Sequence, residues 1–140
     1  MIKRLLFYLI LIFMLSGCAV QRAPESLYET QKEKTEEVKA KQTITASELK
    51  ELIDEKNEDY VLIDVRTEEE FSEGHIPTAM NIPHTEIEDH IDKIPKDRLI
   101  IVYCKLGVRA SVAASKFEEL GYKNVINFGG IGSYAYELEK

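Results

Sequence analysis

From Thr43 onward two textures alternate along the chain. Short continuous apolar runs are separated by segments whose apolar residues fall on one helical face. YVLIDV (60–65), LIIVY (99–103) and NVINF (124–128) read as strands, and AMNI (79–82) as a shorter one before Pro83. LIIVY is the most hydrophobic of them, as expected of the buried centre of a parallel sheet. Between the strands, TASELKELIDEKN (45–57) opens on a Thr45/Ser47 capping signal and sets Leu49, Leu52 and Ile53 on one face. TEEEFSEG (67–74) is a short helix closed by Gly74. TEIEDHIDKI (85–94) spaces Ile87, Ile91 and Ile94 for a helix, and RASVAASKFEEL (109–120) aligns Ala113, Phe117 and Leu120 before Gly121. Gly129-Gly130 introduces a short terminal helix. Strands alternating with helices predict an α/β domain around a parallel sheet, spanning 43–140.

The first 42 residues follow different rules. Lys3 and Arg4 precede eleven uninterrupted apolar residues, Leu5 to Leu15, and then the sequence LSGC ending at Cys18. The apolar stretch is shorter than the ~20 residues of a bilayer-spanning helix and has the length of a signal-peptide core. Small residues before a cysteine resemble the lipobox of bacterial lipoproteins. That resemblance implies a signal peptide over 1–17 and cleavage before Cys18, whose sulfur and amine then carry acyl chains. Such a protein is expected in the bacterial cell envelope, outside the cytoplasmic membrane, with the bilayer as a partner through Cys18. Residues 19–42 carry five basic and five acidic side chains and no periodic apolar stripe, which predicts a solvated tether with transient helix, reaching at most ~80 Å when extended.

Charge narrows the partners. The whole chain has 18 basic and 25 acidic residues, a formal charge of −7, and losing Lys3 and Arg4 leaves −9. An acidic domain repels nucleic acid and anionic headgroups, so neither is an expected partner of the domain itself. The chain has two cysteines. With Cys18 a thioether, Cys104 is a free thiol in an oxidising compartment, a liability unless it performs chemistry.

Cys104 ends the central strand, where open α/β sheets place their ligand sites. The next helix begins near Arg109 or Ala110, so Lys105, Leu106, Gly107 and Val108 must turn the chain. Gly107 permits φ > 0 in that turn. Successive N–H groups then converge on the sulfur and, with Lys105 and Arg109 nearby, favour a nucleophilic thiolate.

Cys104 to Arg109, C-K-L-G-V-R, fits C-x-x-G-x-R. The upstream stretch LIDVRTEEEFSEGHIPTAMNIP (62–83) fits D-V-R … E-[FY] … G-H-I-P-x-A-x-N-I-P. Together they closely resemble the signatures of single-domain rhodaneses, from about Ile44 to the C-terminus. The resemblance implies a three-layer α/β sandwich with about five parallel strands and helices on both faces. It implies a sulfurtransferase in which Cys104 accepts sulfane sulfur from an anionic donor such as thiosulfate and passes it to cyanide or a thiol. Lys105 to Arg109 form the substrate-binding loop, and no metal or organic cofactor is required. The expected partners are the small-molecule donor and acceptor, and the domain is expected to be a monomer. Asp64 and Arg66 leave their strand toward the same face and read as loop supports, with Arg66 pairing to Glu70 one helical turn on. The chain departs from the pattern at Ala110, where relatives commonly have serine, at Leu106, where a small polar residue is frequent, and at Tyr134, in a tryptophan position.

His75, His84 and His90 lack metal-type spacing, which argues against zinc. The C-x₅-R phosphatase loop would need arginine where Ala110 stands. The remaining alternative is a membrane-tethered module that binds a partner or carries a persulfide with little turnover.

Overall fold

The run Leu99–Cys104 forms a strand (β3) buried at every position in the computed structural model, which describes residues 25–140. It lies between β1 (Tyr60–Asp64) and β4 (Val125–Gly130), with the two-residue β2 (Met80–Asn81) outside β1. The order β2-β1-β3-β4 is parallel throughout. The α/β class is as expected, but the sheet has four strands rather than about five among the described residues. Ahead of the first domain helix the chain turns through Gln42 at a left-handed φ of 54° and forms no strand.

β3 feeds two cores by alternation. Leu99, Ile101 and Tyr103 join Leu49, Leu52 and Ile53 of the helix Ala46–Asp54 on one face. Ile100, Val102 and Cys104 join Ala110, Ala113 and Phe117 of the helix Val108–Glu119 on the other. Side chains alternating at period 2 on a strand buried on both sides dictate this three-layer arrangement. The helix at 46–54 starts on Thr45, whose hydroxyl accepts from the Glu48 N–H while Glu48 reaches back to the Thr45 N–H. A capping box of this kind contributes about 1 kcal/mol. A second one, Thr67 with Glu70, opens the short helix Glu68–Glu73. The segment expected as a helix over 85–94 is instead a 3₁₀ helix, Glu88–Lys93, and the terminal helix is a single 3₁₀ turn, Ile131–Ser133. Pro83 and Pro95 bound the former segment.

Within the stretch expected to be a tether, the described residues are helical rather than extended. Glu25–Lys41 is an α-helix, and it lies against the domain. Val38 is buried in the first core beside Leu49 and Leu52. Asn57 Nδ2 donates to Gln31 O and Thr35 Oγ1 at 2.9 and 3.0 Å. Gln31 Nε2 donates to Glu55 O at 2.7 Å, and Lys34 Nζ pairs with Glu51 and Glu55. In chain order the helices are α1 (Glu25–Lys41), α2 (Ala46–Asp54), α3 (Glu68–Glu73) and α4 (Val108–Glu119). The signal peptide expected over 1–17 and the expected lipidation site, Cys18, lie outside the described residues.

Candidate active site

Gly107 is the cap residue of α4, at φ 95°, which is the left-handed turn required to pass from β3 into a helix within four residues. The helix begins at Val108, one residue before the position read from the sequence. The turn folds the backbone around Cys104, whose Sγ accepts the Gly107 N–H at 3.0 Å. Burial pushes the Cys104 thiol up, but the backbone amides of Ala110, Leu106, Gly107 and Arg109 outweigh it and bring the thiol below its ordinary value. The amides, rather than the side chains of Lys105 and Arg109, dominate this stabilisation. Cys104 itself is 1% exposed, at the base of the turn. Lys105 is exposed, and Leu106 and Val108 are 83% and 72% exposed around the mouth.

Arg109 occupies a different position from that of a free anion anchor. Its Nη1 donates to Glu70 Oε2 at 2.6 Å and its Nη2 to Glu70 Oε1 at 2.9 Å. This fork fixes the start of α4 to α3 and neutralises much of the guanidinium charge. Arg109 holds the Glu70 carboxyl down at about 2. Glu70 also accepts the Thr67 N–H, so one carboxylate caps α3 and clamps the cysteine loop. The pairing of Arg66 with Glu70 expected from their spacing is therefore corrected. Arg66 Nε donates to both Asp64 oxygens at 3.0 Å, and its Nη2 donates to Asp64 Oδ2 at 2.6 Å and to Gly74 O at 2.7 Å. Both side chains are buried, at 0% and 6% exposure, and Asn81 Nδ2 closes the turn on the carbonyls of Asp64 and Arg66. Asp64 and Arg66 brace the turn that leads into α3.

The floor of the loop comes from β4. Its register with β3 slips between Val102 and Tyr103, so that Tyr103 faces Gly129 and Cys104 faces Gly130. Asn127 Oδ1 accepts the Gly129 N–H at the slip, and Asn127 Nδ2 donates to Ser111 Oγ at 2.8 Å. A Cβ on Gly130 would lie 2.6 Å from Lys105 O and 3.2 Å from Leu106 Cα. Beyond introducing the terminal turn, Gly130 leaves room for the loop backbone to lie against β4. The T-x-x-E spacing of Thr67 and Glu70 was the available sign that Glu70 turns back over its helix.

The Rhodanese-like domain family matches residues 45–136. The chain belongs to that family. Among its relatives, a sulfurtransferase of Allochromatium vinosum is 39% identical over 79 residues, covering 56% of this chain and 74% of the relative. A thiosulfate sulfurtransferase, GlpE, of Coxiella burnetii is 30% identical over 75 residues, covering 54% and 70%. The solved rhodanese-like domain protein of Staphylococcus aureus superposes with a TM-score of 0.61 at 32% identity, covering 69% of this chain and 95% of that one.

Two expectations follow for this rhodanese-like site. Gly130→Ala forces the Lys105–Leu106 backbone away, and misplacing the loop by about 1 Å lowers sulfur-transfer kcat/KM on the order of 10²-fold. Gly132→Ala, whose Cβ meets nothing within 4 Å, serves as the silent control in the same assay. Glu70→Gln loosens the fork and lowers stability by about 1 kcal/mol at neutral pH. The Glu70 carboxyl ordinarily titrates at 4.5 and is held at about 2 when folded. Its contribution is therefore complete above 4.5 and is lost as the pH falls through about 2. Thermal melts at stepped pH check this: the gap between the parent and Glu70→Gln narrows below pH 4.5 and closes near 2.

Proposed function

We propose that the chain is a sulfurtransferase that moves sulfane sulfur from a thiosulfate-type donor, through a persulfide on Cys104, to cyanide or a thiol. We place it in the bacterial envelope, held by lipid on Cys18. The observation that carries the transferase reading is the sulfur of Cys104 within a turn of backbone amides that lowers its pKa. The thiolate attacks the outer sulfur of thiosulfate, a new S–S bond forms, and the donor S–S bond breaks with sulfite taking the electron pair. The terminal sulfur of Cys104–S–S⁻ is then taken by cyanide, and thiocyanate leaves as the thiolate is restored. The amides hold the anionic sulfur in both states, and Lys105, exposed at the rim, meets the donor's charge. The thiosulfate sulfurtransferase name of one relative supports this donor class, and LSGC before the acidic domain supports the anchor.

A second reading, a persulfide carrier with little turnover, is favoured by the exposure of Leu106 and Val108 beside the cysteine, apolar surface suited to a macromolecular partner. Intact mass after thiosulfate treatment and desalting tests both. A gain of one sulfur that cyanide removes as thiocyanate, with steady turnover, supports the transferase. The same gain without turnover supports the carrier. No added sulfur on a folded domain with a free thiol overturns both.

A further inference from the structure

The docking of α1 sets which end of the domain faces a membrane. α1 runs antiparallel to α2: Gln31 meets Glu55 at the end of α2, and Lys34 meets Glu51 and Glu55. Glu55 to Asp59 lead into β1, and Asp59 O accepts the Leu99 N–H at the start of β3, while Asn124 O accepts the Ile100 N–H. The N-terminal half of α1 therefore lies at the end of the sheet where strands begin. From Gln31 back to Glu25 the helix continues about 9 Å farther in that direction. Cys104 lies at the opposite end of β3, about 17 Å from Leu99 at a strand's rise. Cys18 precedes Glu25 by seven residues, at most ~25 Å of chain.

Charge follows the same axis. The segments entering β1, β3 and β4 (55–59, 95–98 and 121–124) carry four acids and four bases, the latter Lys56, Lys96, Arg98 and Lys123. The segments leaving β1, β2 and β3 (65–70, 82–89 and 105–109) carry six acids and three bases. Counted alone those strand-entry segments are neutral. The first turns of α1 (25–33) add three acids and Lys32 at the same end, leaving it at −2 against −3 for the segments around the Cys104 loop. It therefore meets a surface of anionic headgroups with the lesser repulsion.

We infer that α1 is a docked spacer that turns the strand-entry end of the domain toward the lipid bilayer and the Cys104 loop away from it, toward a sulfur donor and acceptor arriving from the aqueous side. This rests on the lipid anchor at Cys18 proposed above. The test uses full-length chains expressed in a bacterium that processes lipoproteins, all with Cys104→Ser and one new exposed thiol, either Leu106→Cys or Lys123→Cys. A thiol-reactive fluorophore reports energy transfer to an acceptor-labelled lipid in the recovered membranes. Flotation with membranes, and its loss in Cys18→Ser, reads the anchor separately. The expected result is transfer at least about twofold greater from position 123 than from position 106, for a separation near 20 Å along the strand axis. Adding Val38→Asp, which undocks α1, should equalise the two while flotation persists. Equal or reversed transfer in floating protein with Val38 intact overturns the orientation alone. Failure to float overturns the anchor and the orientation with it.

Discussion

Cys104→Ser abolishes sulfur transfer while the domain remains folded. A serine hydroxyl in the same turn would still accept the Gly107 N–H, and it replaces a side chain that is 1% exposed at the end of a fully buried strand. The structural cost of that exchange is modest, about 1 kcal/mol. The chemical cost is total. The amides that bring the thiol below its ordinary value cannot bring an alcohol into the range where an alkoxide attacks sulfur at neutral pH. Without a thiolate the proposed Cys104 persulfide does not form, and the second half-reaction has nothing to transfer. Turnover should fall by at least about 10³-fold, the scale seen when a nucleophile is removed from a site built around it. Intact mass should show no added sulfur under conditions that load the parent. Residual turnover at a tenth of the parent rate, with a matching melting curve, would assign the sulfur chemistry to another group.

Asp64→Ala has the largest expected effect on stability. The carboxylate is fully buried and Arg66 nearly so; between them run four hydrogen bonds, three from the guanidinium and one from the Arg66 N–H to Asp64 Oδ1. Removing the carboxylate leaves the guanidinium in the core with the Gly74 carbonyl as its remaining acceptor among the described residues. An uncompensated buried charge of this kind costs about 3–5 kcal/mol, against about 1 kcal/mol for an exposed pair. Urea titration should show that loss as an earlier midpoint at nearly unchanged slope. The double variant Asp64→Leu with Arg66→Met, which removes both charges, should recover most of it. If the double variant is as unstable as Asp64→Ala, the loss came from the shape of the turn rather than from the stranded charge. Transfer activity should suffer in both, because this turn aims Thr67 and Glu70, and Glu70 holds Arg109.

Much of the site was legible because its causes are local. A strand of five apolar residues ending in cysteine, with glycine three residues on and a helix following, fixes the nucleophile and the shape of the turn within six residues. The left-handed φ at Gly107 and the amides around Cys104 follow from that covalent order. Periodicity likewise marks the strands, α2 and α4, and the closing Gly74 marks α3. The segment ahead of Thr43 misled for a definite reason. α1 has no apolar stripe, because one buried valine and a set of polar groups dock it, and such pairings leave no periodic trace.

The sequence by itself determined the α/β order, the buried central strand and the cysteine at its end, since these depend on side-chain period and on conformations available to neighbouring residues. The tertiary structure alone decided that Glu70 takes Arg109 across 39 positions, that Arg66 turns to Asp64, that the bulge in β4 sets Gly130 beneath the loop, and that α1 lies along α2. Each of these joins groups far apart in the chain or chooses among several partners within reach. Only the folded packing, through desolvation and the need to satisfy each buried polar group, selects one of them.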